Sequence, residues 1–117
     1  MNYLFICYSN CTTCKKAKNW LGKYNISYDE RNIKENNPTE EEIRLWYKNS
    51  SLPLKKFFNT SGMLYRSHKL SDKLPSMSED DQIKLLASDG MLLKRPLLIK
   101  DKTVLIGFKE EKWNILK

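Results

Sequence analysis

Histidine is almost missing from this 117-residue chain, which has only His68, and cysteine is sparse, at Cys7, Cys11 and Cys14. A zinc site built within one chain normally takes four Cys or His ligands, so one here would need carboxylates or a second chain. His68 lies between Ser67 and Lys69 and reads as a surface residue rather than a catalytic base. An odd number of cysteines does not make the paired framework of a small secreted protein, so a reducing, cytoplasmic setting is expected. Long apolar runs are lacking too. Asn2 to Tyr8 is apolar but short and has no basic leader, which predicts a strand rather than a signal peptide, and no membrane insertion. Repeats, linkers and low-complexity stretches are also missing, so one domain over residues 1–117 is expected. Acidic residues are outnumbered: 21 Lys and Arg against 14 Asp and Glu leave a formal charge of +7. That charge favours acidic partners at long range. The lysines are scattered from Lys15 to Lys117, however, which reads as a solvated surface, and no direct DNA binding is expected.

What is present reads as alternating strands and helices. Residues 2 to 8 favour a strand that stops at the turn residues Ser9-Asn10. From Thr12 to Tyr24, Ala17, Trp20, Leu21 and Tyr24 recur at helical spacing, with lysines mostly elsewhere on the wheel. Ile26 to Ile33 is then a second strand, parallel to the first, so the opening unit is βαβ. Thr39 stands three residues before Glu42, a capping box ahead of the apolar stripe Ile43, Trp46 and Tyr47. Ser78 and Asp81 repeat that logic less ideally ahead of Ile83, Leu85, Leu86 and Ala87, and Asp89-Gly90 ends that helix. Between the two helices, Leu54 to Gly62 is expected to form a short helical turn and loop, followed by a poorly defined stretch containing Pro75. Trp46, Tyr47, Phe57 and Phe58 read as core or partly buried packing. Leu97-Leu98-Ile99 and Val104-Leu105-Ile106, separated by Asp101-Lys102, read as a hairpin that Gly107 ends. A closing helix is expected over Lys109 to Leu116.

The sharpest chemical signal is Cys11-Thr12-Thr13-Cys14, placed where the first strand gives way to the first helix. A thiol reacts as its thiolate, and the unpaired N–H groups of a helix N-terminus favour an anion, so a cysteine there is expected to be activated. Cys11, nearest the cap, is the candidate attacking thiol, and Cys14 is the resolving thiol that forms a redox-active disulfide with it. Lys15 and Lys16 add positive charge nearby. Cys7 falls inside the predicted strand and reads as a buried structural cysteine. An inert cysteine pair is the plainer alternative. Arg95-Pro96 is the second signal: a proline at a strand threshold whose peptide bond can be cis at modest cost.

Taken together, Cys11-Thr12-Thr13-Cys14-Lys15-Lys16-Ala17, Phe57-Phe58-Asn59-Thr60-Ser61-Gly62 and Leu92-Leu93-Lys94-Arg95-Pro96-Leu97 resemble the arsenate reductase/Spx family, over essentially the whole chain. The resemblance implies an α/β, thioredoxin-like fold, βαβ plus ββα, with a central helical insertion at roughly residues 38–90. It also implies a cis Pro96 against the cysteine loop. In the glutathione- and glutaredoxin-dependent arsenate reductases one cysteine attacks, which Cys11 matches, and an arginine precedes the cis-proline, which Arg95 matches. Asn59 and Phe108 stand where two further oxyanion-holding arginines are expected, which argues against arsenate as the substrate. The residues expected to bind substrate or stabilise the thiolate are therefore Arg95, Pro96, Asn59 and Lys15. Spx-like regulators also have the cysteine pair, bind the C-terminal domain of the RNA polymerase α subunit, and change transcription when the cysteines oxidise. The Phe57–Gly62 segment is more similar to the uncharacterised arsenate-reductase-like proteins of low-GC Gram-positive bacteria. Two functions follow from the resemblance: a thiol reductase recharged by glutathione, thioredoxin or glutaredoxin with no bound cofactor, or a redox-sensing regulator of RNA polymerase.

Overall fold

Alternation along β1 (Tyr3–Cys7) sends Phe5 and Cys7 to one face of the sheet and Leu4 and Ile6 to the other, and both faces are covered. In the computed structural model, which describes residues 2–116, β1 therefore sits in the middle of a four-stranded sheet. It pairs in parallel with β2 (Tyr28–Asn32) and antiparallel with β3 (Leu97–Lys100), and β3 pairs antiparallel with β4 (Thr103–Ile106). The order is β2-β1-β3-β4. The helix α1 (Thr12–Lys23) makes the crossover between the two parallel strands. A parallel βαβ unit joined to an antiparallel ββα unit is the thioredoxin-like arrangement that the sequence predicts. The edge strand β2, with sequence Tyr-Asp-Glu-Arg-Asn, is polar, as an edge exposed to water requires.

One face of the sheet is covered by α1 and by the chain's last helical turns, α6 (Glu110–Trp113) and a 3-10 turn over Asn114–Leu116. Phe5, Cys7, Cys14, Ala17, Trp20, Leu21, Leu98 and Trp113 make this core. Trp113 is edge-on to Trp20 and Phe108, and its indole N–H donates to the Gly107 carbonyl at 3.1 Å. Gly107 ends β4 with φ of +72°, a conformation open to glycine, and its N–H donates to the Pro96 carbonyl.

The other face is covered by α2 (Glu40–Ser50), α3 (Met63–Ser67), α4 (Leu70–Lys73) and α5 (Glu79–Ser88), all within the expected central segment. Thr39 caps α2 reciprocally with Glu42, as its spacing predicts. Ser78 caps α5 through the Asp81 N–H. Glu42 also receives a two-pronged contact from Arg31 on β2, at 2.7 and 2.9 Å, which ties the edge strand to the start of α2. The Pro75 stretch is a 3-10 turn, Leu74–Ser76, that continues α4.

One expectation is incomplete. Leu54–Phe57 is a 3-10 turn as expected, but the residues after it are not simply a loop. Phe58 bridges Leu93 in antiparallel fashion, the Lys94 N–H donates to the Phe57 carbonyl, and the Asn59 N–H donates to the Leu92 carbonyl. Two segments far apart in sequence satisfy each other's backbone, a pairing that no local pattern announces. Asp89-Gly90 follows the end of α5, as expected. Asp89 is extended, Gly90 opens a 3-10 turn, and a Cβ on Gly90 would lie 1.7 Å from the Ile33 carbonyl oxygen. Close backbone approach, not turn conformation, requires glycine there.

Candidate active site

Cys11 is the N-cap residue of α1, with extended backbone at φ −98° and ψ 118°. Its N–H donates to the Tyr8 carbonyl, and its carbonyl accepts from Lys15 in the first turn of the helix. No side chain caps this helix and its first turn holds no carboxylate, so the positive end of the helix is left to whatever negative charge lies at Cys11. Cys11 is partly exposed, whereas Cys14, one turn further on, faces the sheet and is 3% exposed. All three cysteines are free thiols.

Cys7 and Cys14 are buried together in the core beneath α1, and Cys11 packs against that cluster from its partly exposed side. The Tyr8 N–H also donates to the Cys14 sulfur at 3.4 Å. The Cys14 thiol is held well above the ordinary thiol range, first by its hydrogen bond to Cys7 and then by burial. Cys14 is thus a protonated thiol at neutral pH. Among the described residues, no three His, Cys, Asp or Glu side chains gather as a metal ion would require.

A cleft of about 850 Å³ opens in front of Cys11, and Cys11 is the one cysteine that lines it. Asn59 and Arg95, predicted as site residues, line the same cleft. The Phe58–Leu93 bridge explains how: it holds Asn59 beside the segment that leads into Arg95. The Arg95–Pro96 peptide bond is cis, as the resemblance implies. Pro96 is buried behind the cleft wall rather than lining it. Arg95 stacks its guanidinium over the Tyr8 ring at 5.4 Å and donates through Nη1 to the Met91 and Leu93 carbonyls, both at 3.3 Å. Its Nε is buried with no hydrogen-bond partner among the described residues. Lys15 is not brought to the site: it is exposed on α1 and does not line the cleft. His68 is exposed, as expected.

Sequence reasoning missed Lys94 and Lys109, which line the cleft with Arg95; no Asp or Glu does. The only local signal for Lys94 is its place beside Arg95, and Lys109 depends on how Gly107 turns the chain. Phe108 lines the cleft where the resemblance expects an arginine, edge-on to Trp113 with ring centres 4.9 Å apart. The arrangement offers one accessible thiol at a helix N-terminus, a second thiol behind it, and a positively charged, partly apolar wall.

The sheet order, the cysteine pair opening the crossover helix and the cis-proline next to Arg95 in the cleft wall together define a thioredoxin-like protein with a two-cysteine site. The chain belongs to the ArsC family, whose family model matches residues 7–116. It is similar to an ArsC-family-related protein from Bacteroides fragilis whose crystal structure is known, with 54% identity, a TM-score of 0.97, and coverage of 100% of this chain and 98% of that one. It is 50% identical over 113 residues to YusI, an uncharacterised protein of Bacillus subtilis (strain 168), covering 97% of this chain and 96% of YusI. It is also 31% identical over 102 residues to the global transcriptional regulator Spx of Staphylococcus epidermidis, covering 87% of this chain and 76% of Spx. Among the described residues, no helix is long and apolar enough to cross a membrane.

Proposed function

We propose that this protein is a thiol–disulfide oxidoreductase in which Cys11 attacks and Cys14 resolves. One observation supports this above all: Cys11 alone of the three cysteines opens into the cleft, and Cys14 lies behind it in the core that Cys11 packs against. The Cys11 thiolate attacks one sulfur of a substrate disulfide, forming a mixed disulfide and expelling the first substrate thiolate. Cys14 then gives up its proton and attacks the Cys11 sulfur, releasing the second thiolate and leaving a Cys11–Cys14 disulfide. A cellular thiol reductant, glutathione or the thioredoxin or glutaredoxin system, returns the pair to dithiol.

Lys94, Arg95 and Lys109 line the cleft and no Asp or Glu does, which favours a substrate that is negative near its disulfide. Asn59 contributes an amide that orients it. Arsenate fits poorly, because Asn59 and Phe108 cannot supply the bidentate charge-assisted bonds that guanidinium groups give an oxyanion. The test is turnover of a glutathione mixed disulfide, with glutathione or thioredoxin and its reductase as electron donor. Turnover that falls to background in Cys11→Ser supports the reading. No turnover with either donor overturns it.

The likeness to Spx favours a second reading, in which the Cys11–Cys14 disulfide is the signal and the C-terminal domain of the RNA polymerase α subunit is the partner. Binding to that domain that differs between the reduced and oxidised protein, without turnover, would select it; no binding in either state would remove it.

A further inference from the structure

The proposed chemistry uses Cys11 and Cys14 and leaves Cys7 idle, yet Cys7 is buried in the same core cluster as Cys14. Their placement together follows from two periodicities. Alternation along β1 turns Cys7 toward α1, and helical spacing turns Cys14, with Ala17 and Leu21, toward the sheet. Both thiols are buried, at 7% and 3% exposure, in the same core. The Cys7 carbonyl accepts from Ile33 and so fixes the end of the strand, while the Tyr8 N–H reaches the Cys14 sulfur. Cys14 therefore has two thiols in its surroundings, one lining the cleft and one in the core.

We infer that Cys7 is a third member of the redox centre, taking Cys14 over from Cys11 so that the oxidised protein stores its disulfide as Cys7–Cys14. This rests on the dithiol reading proposed above. The step is a thiol–disulfide exchange: Cys7, as its thiolate, attacks the Cys14 sulfur of the Cys11–Cys14 disulfide. The Cys7–Cys14 bond forms, the Cys11–Cys14 bond breaks, and the electron pair leaves on Cys11 as its thiolate. One disulfide replaces another, the proton lost by Cys7 is available to Cys11 through solvent, and no outside oxidant or reductant is consumed. The consequence is functional. The bridge moves to the interior, away from reductants in the cleft, and Cys11 faces the cleft again as a free thiol while the protein stays oxidised.

The experiment is to find the one free thiol after oxidation. The full-length protein is oxidised with excess diamide, which takes two electrons and two protons from a dithiol, and exchange is quenched with acid. The protein is unfolded and labelled with N-ethylmaleimide under mildly acidic conditions, and labelled and disulfide-linked peptides are mapped by mass spectrometry. Relay by Cys7 predicts that most of the oxidised molecules carry a Cys7–Cys14 linked peptide and label on Cys11. Cys7→Ala, treated alike, retains no labelled thiol. Label confined to Cys7, with Cys11–Cys14 as the one bridge, overturns the relay and leaves the dithiol reading standing. If the wild type forms no intramolecular disulfide at all, both fail.

Discussion

The two faces of the sheet are built in different ways. On one, the twelve-residue helix α1 packs an aromatic cluster with Trp113 of α6 and presents Cys11 and Cys14 from its first turn. On the other, four helices of 11, 5, 4 and 10 residues are stitched together by caps and turns. Helices as short as α3 and α4 do not hold alone in water, so that face depends on packing and on specific backbone contacts. The difference separates chemistry from shape. The thiols sit where local periodicity sets their geometry, whereas Asn59, Met63 and Met91 bring the far wall of the cleft from the stitched face.

The comparison breaks most visibly at Gly90. Gly90→Ala forces a Cβ against the Ile33 carbonyl, with no flexible side chain to yield, and is expected to destabilise the protein by about 4 kcal/mol or more in urea unfolding. A variant as stable as the wild type would show that this junction gives way easily. Thr39→Ala removes half of the capping box on α2 and should cost about 1 kcal/mol, without changing which cysteine reacts. Gly22 on α1 is the contrasting glycine: a Cβ there meets nothing within 4 Å. Gly22→Ala should raise stability by about 0.5 to 1 kcal/mol, and a loss would mean that α1 is less regular than its pattern suggests.

The smallest effect concerns acid. The Arg31 guanidinium holds the Glu42 carboxyl below the usual carboxylate range. Since the folded value lies below the unfolded one, Glu42 stabilises the fold above the ordinary carboxylate pKa, and this is lost as pH falls through the lowered value. Both partners are partly open to solvent, at 16% and 33% exposure, so the contribution is about 1 kcal/mol at most. Arg31→Met should flatten the acid limb of the urea-midpoint profile. An unchanged limb would place the acid sensitivity elsewhere.

The sequence-based reading succeeds and falls short along the same division. The βαβ unit, the final hairpin and the Thr39 cap are legible because each rests on residues a few positions apart, such as Ala17, Trp20 and Leu21 on one helix face. The Phe58–Leu93 bridge was not legible, because its partners are neighbours only after the helices between them have packed. Gly90 is legible as a helix boundary, but its need for glycine is not, since the Ile33 carbonyl that demands it belongs to a distant turn. At the site, Cys11 and Cys14 declare themselves by spacing. The burial of Cys7 with Cys14 required the strand and helix periodicities to be superposed, and Lys94 and Lys109 became cleft residues only through the turn at Gly107.

The central claim, that Cys11 attacks and Cys14 resolves, is tested most directly by trapping. Cys14→Ser is incubated with a glutathione mixed disulfide, and the adduct is located by intact mass and peptide mapping. The expected result is a stable mixed disulfide on Cys11, at one per chain, that wild type does not accumulate. A Cys14→Ser protein that takes up no adduct, or takes it up on Cys7, contradicts the account.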